Sequence, residues 1–125
     1  MSMIVLIEDN EQNARLAAKL ITLAGHDVLQ AGDGEEGMAL VEDVVPDLIL
    51  VDLGLPDMDG QTVVALLRQQ PALEQVPIIA FTAWPQDTAY DMALAYGCDG
   101  VIIKPINTRT FADEIDSYLE KTGAV

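Results

Sequence analysis

Cations are scarce in this sequence. Six lysines and arginines stand against 21 aspartates and glutamates, leaving a formal net charge of −15 at pH 7. So acidic a chain repels nucleic-acid phosphates, which excludes direct nucleic-acid binding and suits cations or basic protein surfaces. Cysteine is nearly absent. Cys98 alone cannot form an internal disulfide, so a reducing, cytoplasmic setting is expected. No apolar stretch reaches the ~18 residues of a membrane span. Met1-Ser2-Met3 lacks the basic flank of a signal peptide, so neither membrane insertion nor export is expected. A glycine-rich phosphate cradle is missing too. The loop after the first apolar run is Glu8-Asp9-Asn10-Glu11, which would repel a phosphate unless a metal intervened, and no lysine has P-loop spacing.

What is present is apolar and periodic. Half of the 125 residues are hydrophobic, enough for one self-supporting domain spanning residues 1–125. "MIVLI" (Met3 to Ile7), "LILV" (Leu48 to Val51), "PIIAF" (Pro77 to Phe81) and "VII" (Val101 to Ile103) are short and continuous. Such runs suit strands buried on both faces, as in a parallel sheet. "DVLQA" near residue 27 reads as a weaker strand nearer an edge.

Helical periods lie between the strands. Residues 11–24 align Leu16, Leu20 and Leu23, with Gly25 as a stop. Residues 34–44 align Met38 and Val41 with Val45, behind a capping box of Asp33 and Glu36. Residues 61–70 turn Val63, Val64 and Leu67 inward. Residues 86–96 follow Pro85 and stop at Gly97. Residues 108–121 present Phe111, Ile115, Tyr118 and Leu119, with Asn107 as cap. Strand and helix thus alternate five times, which implies an α/β fold with helices on both faces of a parallel sheet.

Ligands of open parallel sheets bind at the carboxyl ends of the strands. There the sequence places Glu8-Asp9, Asp52, Thr82 and Lys104. Any one of them is ordinary, since a strand-end acid commonly caps a helix or solubilises a loop. Together they form a set with a chemistry. Two like charges 4 Å apart repel by roughly 4 kcal/mol at an effective dielectric of 20, so a proton or cation must relieve the acids. A hard divalent ion, Mg²⁺ foremost, fits oxygen ligands and keeps waters free for a phosphate. A carboxylate nucleophile, a metal, a lysine and a hydroxyl are the parts of phosphoryl transfer, which works by positioning and charge neutralisation. Asp52, central among the strand ends, is the candidate nucleophile. An aspartate-based phosphatase would want a second acid two residues on, and that position is Gly54.

"VLIEDN", "PDLILVDLGLPDMDG", "VPIIAFTA" and "GCDGVIIKPI" resemble, in order, the motifs of the receiver domain of two-component response regulators. The likeness spans about residues 3–121. It implies a flavodoxin-like three-layer α/β/α fold with strands ordered 2-1-3-4-5. It implies that Asp52 accepts phosphate and that Glu8 and Asp9 hold Mg²⁺, Asp9 directly, with Asp52 and the Gly54 carbonyl as further ligands. Thr82 would bond the phosphoryl group and Lys104 would pair with it, aimed inward by a cis bond before Pro105. The implied donor is a histidine kinase or a histidine phosphotransfer protein, and the implied reader docks on the helix 4, strand 5 and helix 5 face. No other enzymatic activity is implied beyond Asp52's own phosphorylation and dephosphorylation. Output would come by docking or through a region beyond Val125.

Two positions depart from the pattern. An aromatic residue often stands three before the lysine and reports phosphorylation, whereas this chain has Val101. That departure favours an alternative, a receiver-like adaptor that works without phosphate. Trp84, two past Thr82, stands where the family tunes phosphate loss. Elsewhere His26 reads as a loop residue, Cys98 as a small buried filler, and Tyr90, Tyr96 and Tyr118 as core or partner surface.

Overall fold

A computed structural model describes residues 2–121. Its elements run β1 (Met3–Ile7), α1 (Glu11–Leu23), β2 (Asp27–Ala31), α2 (Gly34–Asp43), β3 (Leu48–Asp52), α3 (Gly60–Arg68), β4 (Ile78–Thr82), α4 (Gln86–Tyr96), β5 (Gly100–Ile103) and α5 (Phe111–Lys121). All strand pairs are parallel, in the order β2-β1-β3-β4-β5. This is the flavodoxin-like order expected above, with β2 at one edge and β5 at the other.

The strands are apolar throughout because both faces are covered. Val5, Ile7, Ile49, Val51, Ile78 and Ala80 face one layer, with Val41 of α2, Val63 of α3 and Ala89 of α4. Their neighbours Ile4, Leu6, Leu48, Leu50, Ile79 and Phe81 face the other, against α1 and against Phe111, Ile115 and Leu119 of α5. Side chains alternate across a strand, so a run feeding two cores cannot alternate in polarity. Helix ends follow their sequence signals. Gly25 (φ 93°) and Gly97 (φ 98°) take the left-handed conformation that ends α1 and α4. Asn10, Asp33 and Asp59 cap α1, α2 and α3 through side-chain oxygens.

Three local expectations are corrected. The buried face of α1 is Ala14, Ala17, Ala18 and Ile21; of the expected leucines Leu20 packs partly buried against the same core, while Leu23 is 73% exposed. The large residues Ile4, Leu6 and Phe81 already fill that core, so the helix opposite presents small side chains. Val45 lies beyond α2 and is exposed, because the residue before Pro46 is pushed out of helical geometry. Asn107 closes a turn by accepting from Arg109 N, ahead of a helix that starts only at Phe111. A 3₁₀ turn at Pro71–Leu73, not foreseen from the sequence, follows the early end of α3.

Arg68 explains how that region is held. Its guanidinium donates to the carbonyls of Gly97 (3.1 Å), Leu73 (3.3 Å) and Val76 (2.9 Å), and meets Asp99 at 2.5 Å. Asp99 in turn accepts from Ile78 N at 2.9 Å. One side chain thereby ties α3, the 3₁₀ turn and the amino ends of β4 and β5. Arg68→Met is expected to lower the unfolding free energy by about 2–3 kcal/mol, since it strands several part-buried acceptors. Urea denaturation checks this, and an unchanged midpoint would refute it.

Candidate functional site

The carboxyl ends of β1, β3, β4 and β5 converge on one pocket. Asp52 ends β3 in register with Phe81, and Thr82 ends β4 in register with Ile103. Glu8 and Asp9 follow β1, and Lys104 follows β5. Register alone therefore brings together residues spread over almost the whole chain. A carboxylate oxygen from each of Glu8, Asp9 and Asp52 lies within 4.8 Å of the others. Glu8, Asp52 and Thr82 are buried, whereas Asp9 is exposed at the mouth.

Lys104 reaches into this acidic group. Its Nζ lies 2.5 Å from Glu8 Oε1 and 3.4 Å from Asp52 Oδ2. It also sits 4.8 Å above the Phe81 ring, a cation–π contact that the sequence did not reveal. The Lys104–Pro105 bond is cis. Asp52 Oδ1 accepts from Gly54 N at 2.8 Å, which draws the loop after β3 against the nucleophile candidate. Thr82 Oγ1 accepts from Trp84 N at 3.1 Å, holding the start of the β4–α4 loop.

Glu8 and Asp52 divide the charge between them. Burial, helped by the neighbouring Asp52, pushes the Glu8 carboxyl up to about 7 against the pull of Lys104. Burial acts on Asp52 in the same sense. It is outweighed by hydrogen bonds with Glu8 and the Gly54 amide and by the Lys104 charge, so Asp52 lies below its ordinary value. The pocket near neutral pH thus holds an ionised Asp52 beside a Glu8 that readily keeps a proton.

The donor set fits a hard divalent cation. Glu8 Oε1 is buried without a well-formed hydrogen bond, although Lys104 is close. Three carboxylate oxygens within 4.8 Å of one another are close enough to meet a single hard cation. A cavity of about 600 Å³ opens beside Glu8 and Asp9, between α1 and the β2–α2 loop.

Other residues lie around this site in ways the sequence did not show. Asp57 accepts from Gly34 N (2.8 Å) and Glu35 N (3.0 Å), latching the β3–α3 loop onto the start of α2. A carboxylate at a helix amino end is favourable, and these bonds hold Asp57 below the usual carboxylate range. Its place in "LPDMDG" was the available hint, but its partner is 23 residues upstream. His26 lies away from the pocket. Its Nδ1 accepts from Ser2 N, and its Nε2 bonds Asp116 at 2.7 Å, joining the chain's start to α5. Cys98 is buried, and its thiol is pushed up to about 12 by burial.

Known proteins are similar to this chain over almost its whole length. The sequence model of the response regulator receiver domain matches residues 4–116. The polar-differentiation response regulator DivK of Brucella anthropi is 34% identical over 116 residues, 93% of this chain and 94% of its own length. DivK of Brucella ovis is similar to the same extent. A chemotaxis response regulator of Vibrio cholerae superposes with a TM-score of 0.89 at 24% identity, covering 94% of this chain and 98% of its own, a likeness of fold. A signal receiver domain of a signal transduction histidine kinase from Syntrophus aciditrophicus gives 0.85 at 26% identity, covering 97% and 92%.

Proposed function

The chain belongs to the response regulator receiver domain family, and on that premise we propose that Asp52 is its phosphoacceptor in a two-component phosphorelay. Receiver domains are signalling modules that bind Mg²⁺ at an acidic pocket and interact with histidine kinases or phosphotransfer proteins. The observation that carries the residue-level reading is a buried Asp52 carboxylate placed 3.4 Å from Lys104 within a three-carboxylate cluster.

In this reading a carboxylate oxygen of Asp52 attacks the phosphorus of a donor phosphohistidine. The new P–O bond forms as the N–P bond breaks, and the electron pair returns to the imidazole. Mg²⁺, held by Asp9, Asp52, the Gly54 carbonyl and the support of Glu8, would neutralise the transferring phosphoryl oxygens. Lys104, already beside Asp52 Oδ2, exchanges its Glu8 partner for the phosphoryl group. Thr82 donates its hydroxyl to the same group, drawing on the loop that its bond to Trp84 N holds. The altered β4–α4 loop and β5 bias the α4–β5–α5 face, which an output partner reads. The chain then serves as a cytoplasmic receiver domain whose chemistry is its own phosphorylation and dephosphorylation at Asp52.

Acetyl phosphate with Mg²⁺ is expected to add a single phosphoryl group, seen by intact-mass spectrometry and lost with a chelator. Phosphate on any residue other than Asp52, or none in the presence of Mg²⁺, would sink the assignment. The adaptor reading draws on Val101, which is buried and carries no aromatic ring. It calls for partner affinity that ignores Mg²⁺ and beryllium fluoride, a phosphoryl mimic.

A further inference from the structure

The outer edge of β5 is covered in an unusual way. An edge strand leaves backbone N–H and C=O groups without a neighbouring strand. At Val101 both groups meet one side chain. The Tyr118 hydroxyl accepts from Val101 N and donates to Val101 O, each at 3.2 Å. Burial raises the phenol from its ordinary value, which keeps it a donor. The ring lies so close to Gly100 that a Cβ there would fall inside it. Gly100, the Val101 backbone and Tyr118 therefore form one contact that joins α5 to β5.

This unit is close to the pocket along the chain and in space. Val101 precedes Lys104 by three residues, and Lys104 N donates to Thr82 O at 2.7 Å, so the ends of β4 and β5 are bonded together. Tyr118 and Lys104 also line the same groove of roughly 480 Å³, with Gln86 and Tyr90 of α4 on its other side. A shift of Lys104 and Thr82 toward Asp52 pulls on the strand whose outer edge Tyr118 grips.

We propose that Tyr118 is the element through which β5 reports the state of the Asp52 pocket: its hydroxyl clasps Val101 when the pocket is empty and releases it when Asp52 carries phosphate. The proposal rests on the reading of Asp52 as phosphoacceptor and adds the route by which the signal leaves the site. By linkage, a contact that favours the empty form opposes filling, so its removal strengthens binding of a phosphoryl mimic.

The test labels the three tyrosines with 3-fluorotyrosine and assigns Tyr118 through Tyr118→Phe. Trp84, the chain's single tryptophan, reports pocket filling by fluorescence. With Mg²⁺ and beryllium fluoride, the Tyr118 ¹⁹F resonance is expected to shift in step with Trp84 emission. Tyr118→Phe, which keeps the ring over Gly100, is expected to bind beryllium fluoride about fivefold more tightly. A Trp84 response with a stationary Tyr118 resonance, or an unchanged or weaker affinity in Tyr118→Phe, overturns this proposal and leaves the pocket reading intact. Silence of both probes in the native protein overturns the pocket reading and this proposal with it.

Discussion

Asp52→Asn is expected to abolish phosphorylation, with a fall of at least about a thousandfold in the rate of phosphoryl uptake from acetyl phosphate. The amide has nearly the shape of the carboxylate and can still accept from Gly54 N, so the loop after β3 keeps its anchor. What disappears is the charged oxygen beside Lys104, and with it the nucleophile. Mg²⁺ affinity should fall as well, because one of three clustered carboxylates is gone. Intact-mass spectrometry follows the first effect and Mg²⁺ titration of Trp84 fluorescence the second. Uptake at the native rate would show that another residue accepts the phosphate.

The metal-free protein is expected to become less stable as pH rises from about 4.5 to about 7, by on the order of 2 kcal/mol. Glu8 is the cause. Its ordinary value is 4.5 and burial raises it to about 7 in the folded chain. A carboxyl with a raised folded value costs nothing while it is neutral in both states, below about pH 4.5. Between that value and about 7 the unfolded chain ionises freely while the folded one holds its proton, and stability is lost. Asp52 acts with the opposite sign in a lower window. Its folded value is depressed, so its contribution is present above about pH 3.8 and lost as pH falls through the folded value.

Stability should therefore peak near pH 4–5 and decline on both sides. Urea denaturation across pH, with a chelator present, measures the profile. Glu8→Gln should flatten the decline between about 4.5 and 7, and Mg²⁺ should oppose it by stabilising the ionised cluster. A native protein equally stable at pH 5 and pH 8 without metal would contradict the role given to Glu8.

These two results test residues that were visible in the sequence, and the reason they were visible is physical. A strand covered on both faces must be apolar along its length, so "LILV" and "PIIAF" stood out as runs. A polar residue where such a run ends, as Asp52 and Thr82 do, lies on the sheet's carboxyl rim. Glu8, Asp9 and Lys104 followed from the same rule. Caps were legible where one residue bonds another three further on, as Asp33 does with Glu36 N. The α1 face was misjudged because leucines outweigh alanines in any hydrophobic pattern, whereas the space left above the sheet admitted the alanines.

The sequence by itself determined the order of elements, the family and the five side chains that ring the pocket, since each depends on local pattern and strand ends. Only the tertiary structure decided which side chains support them. Phe81 lies under Lys104, Arg68 binds carbonyls 5 to 29 residues away, Asp57 holds α2, and Tyr118 closes the edge at Val101. Those contacts join residues with no fixed spacing, because they are set by how helices settle against the sheet. Val101 seemed in sequence to be a gap where an aromatic ring was missing. In the folded chain the hydroxyl of Tyr118, 17 residues later on α5, bonds the Val101 backbone.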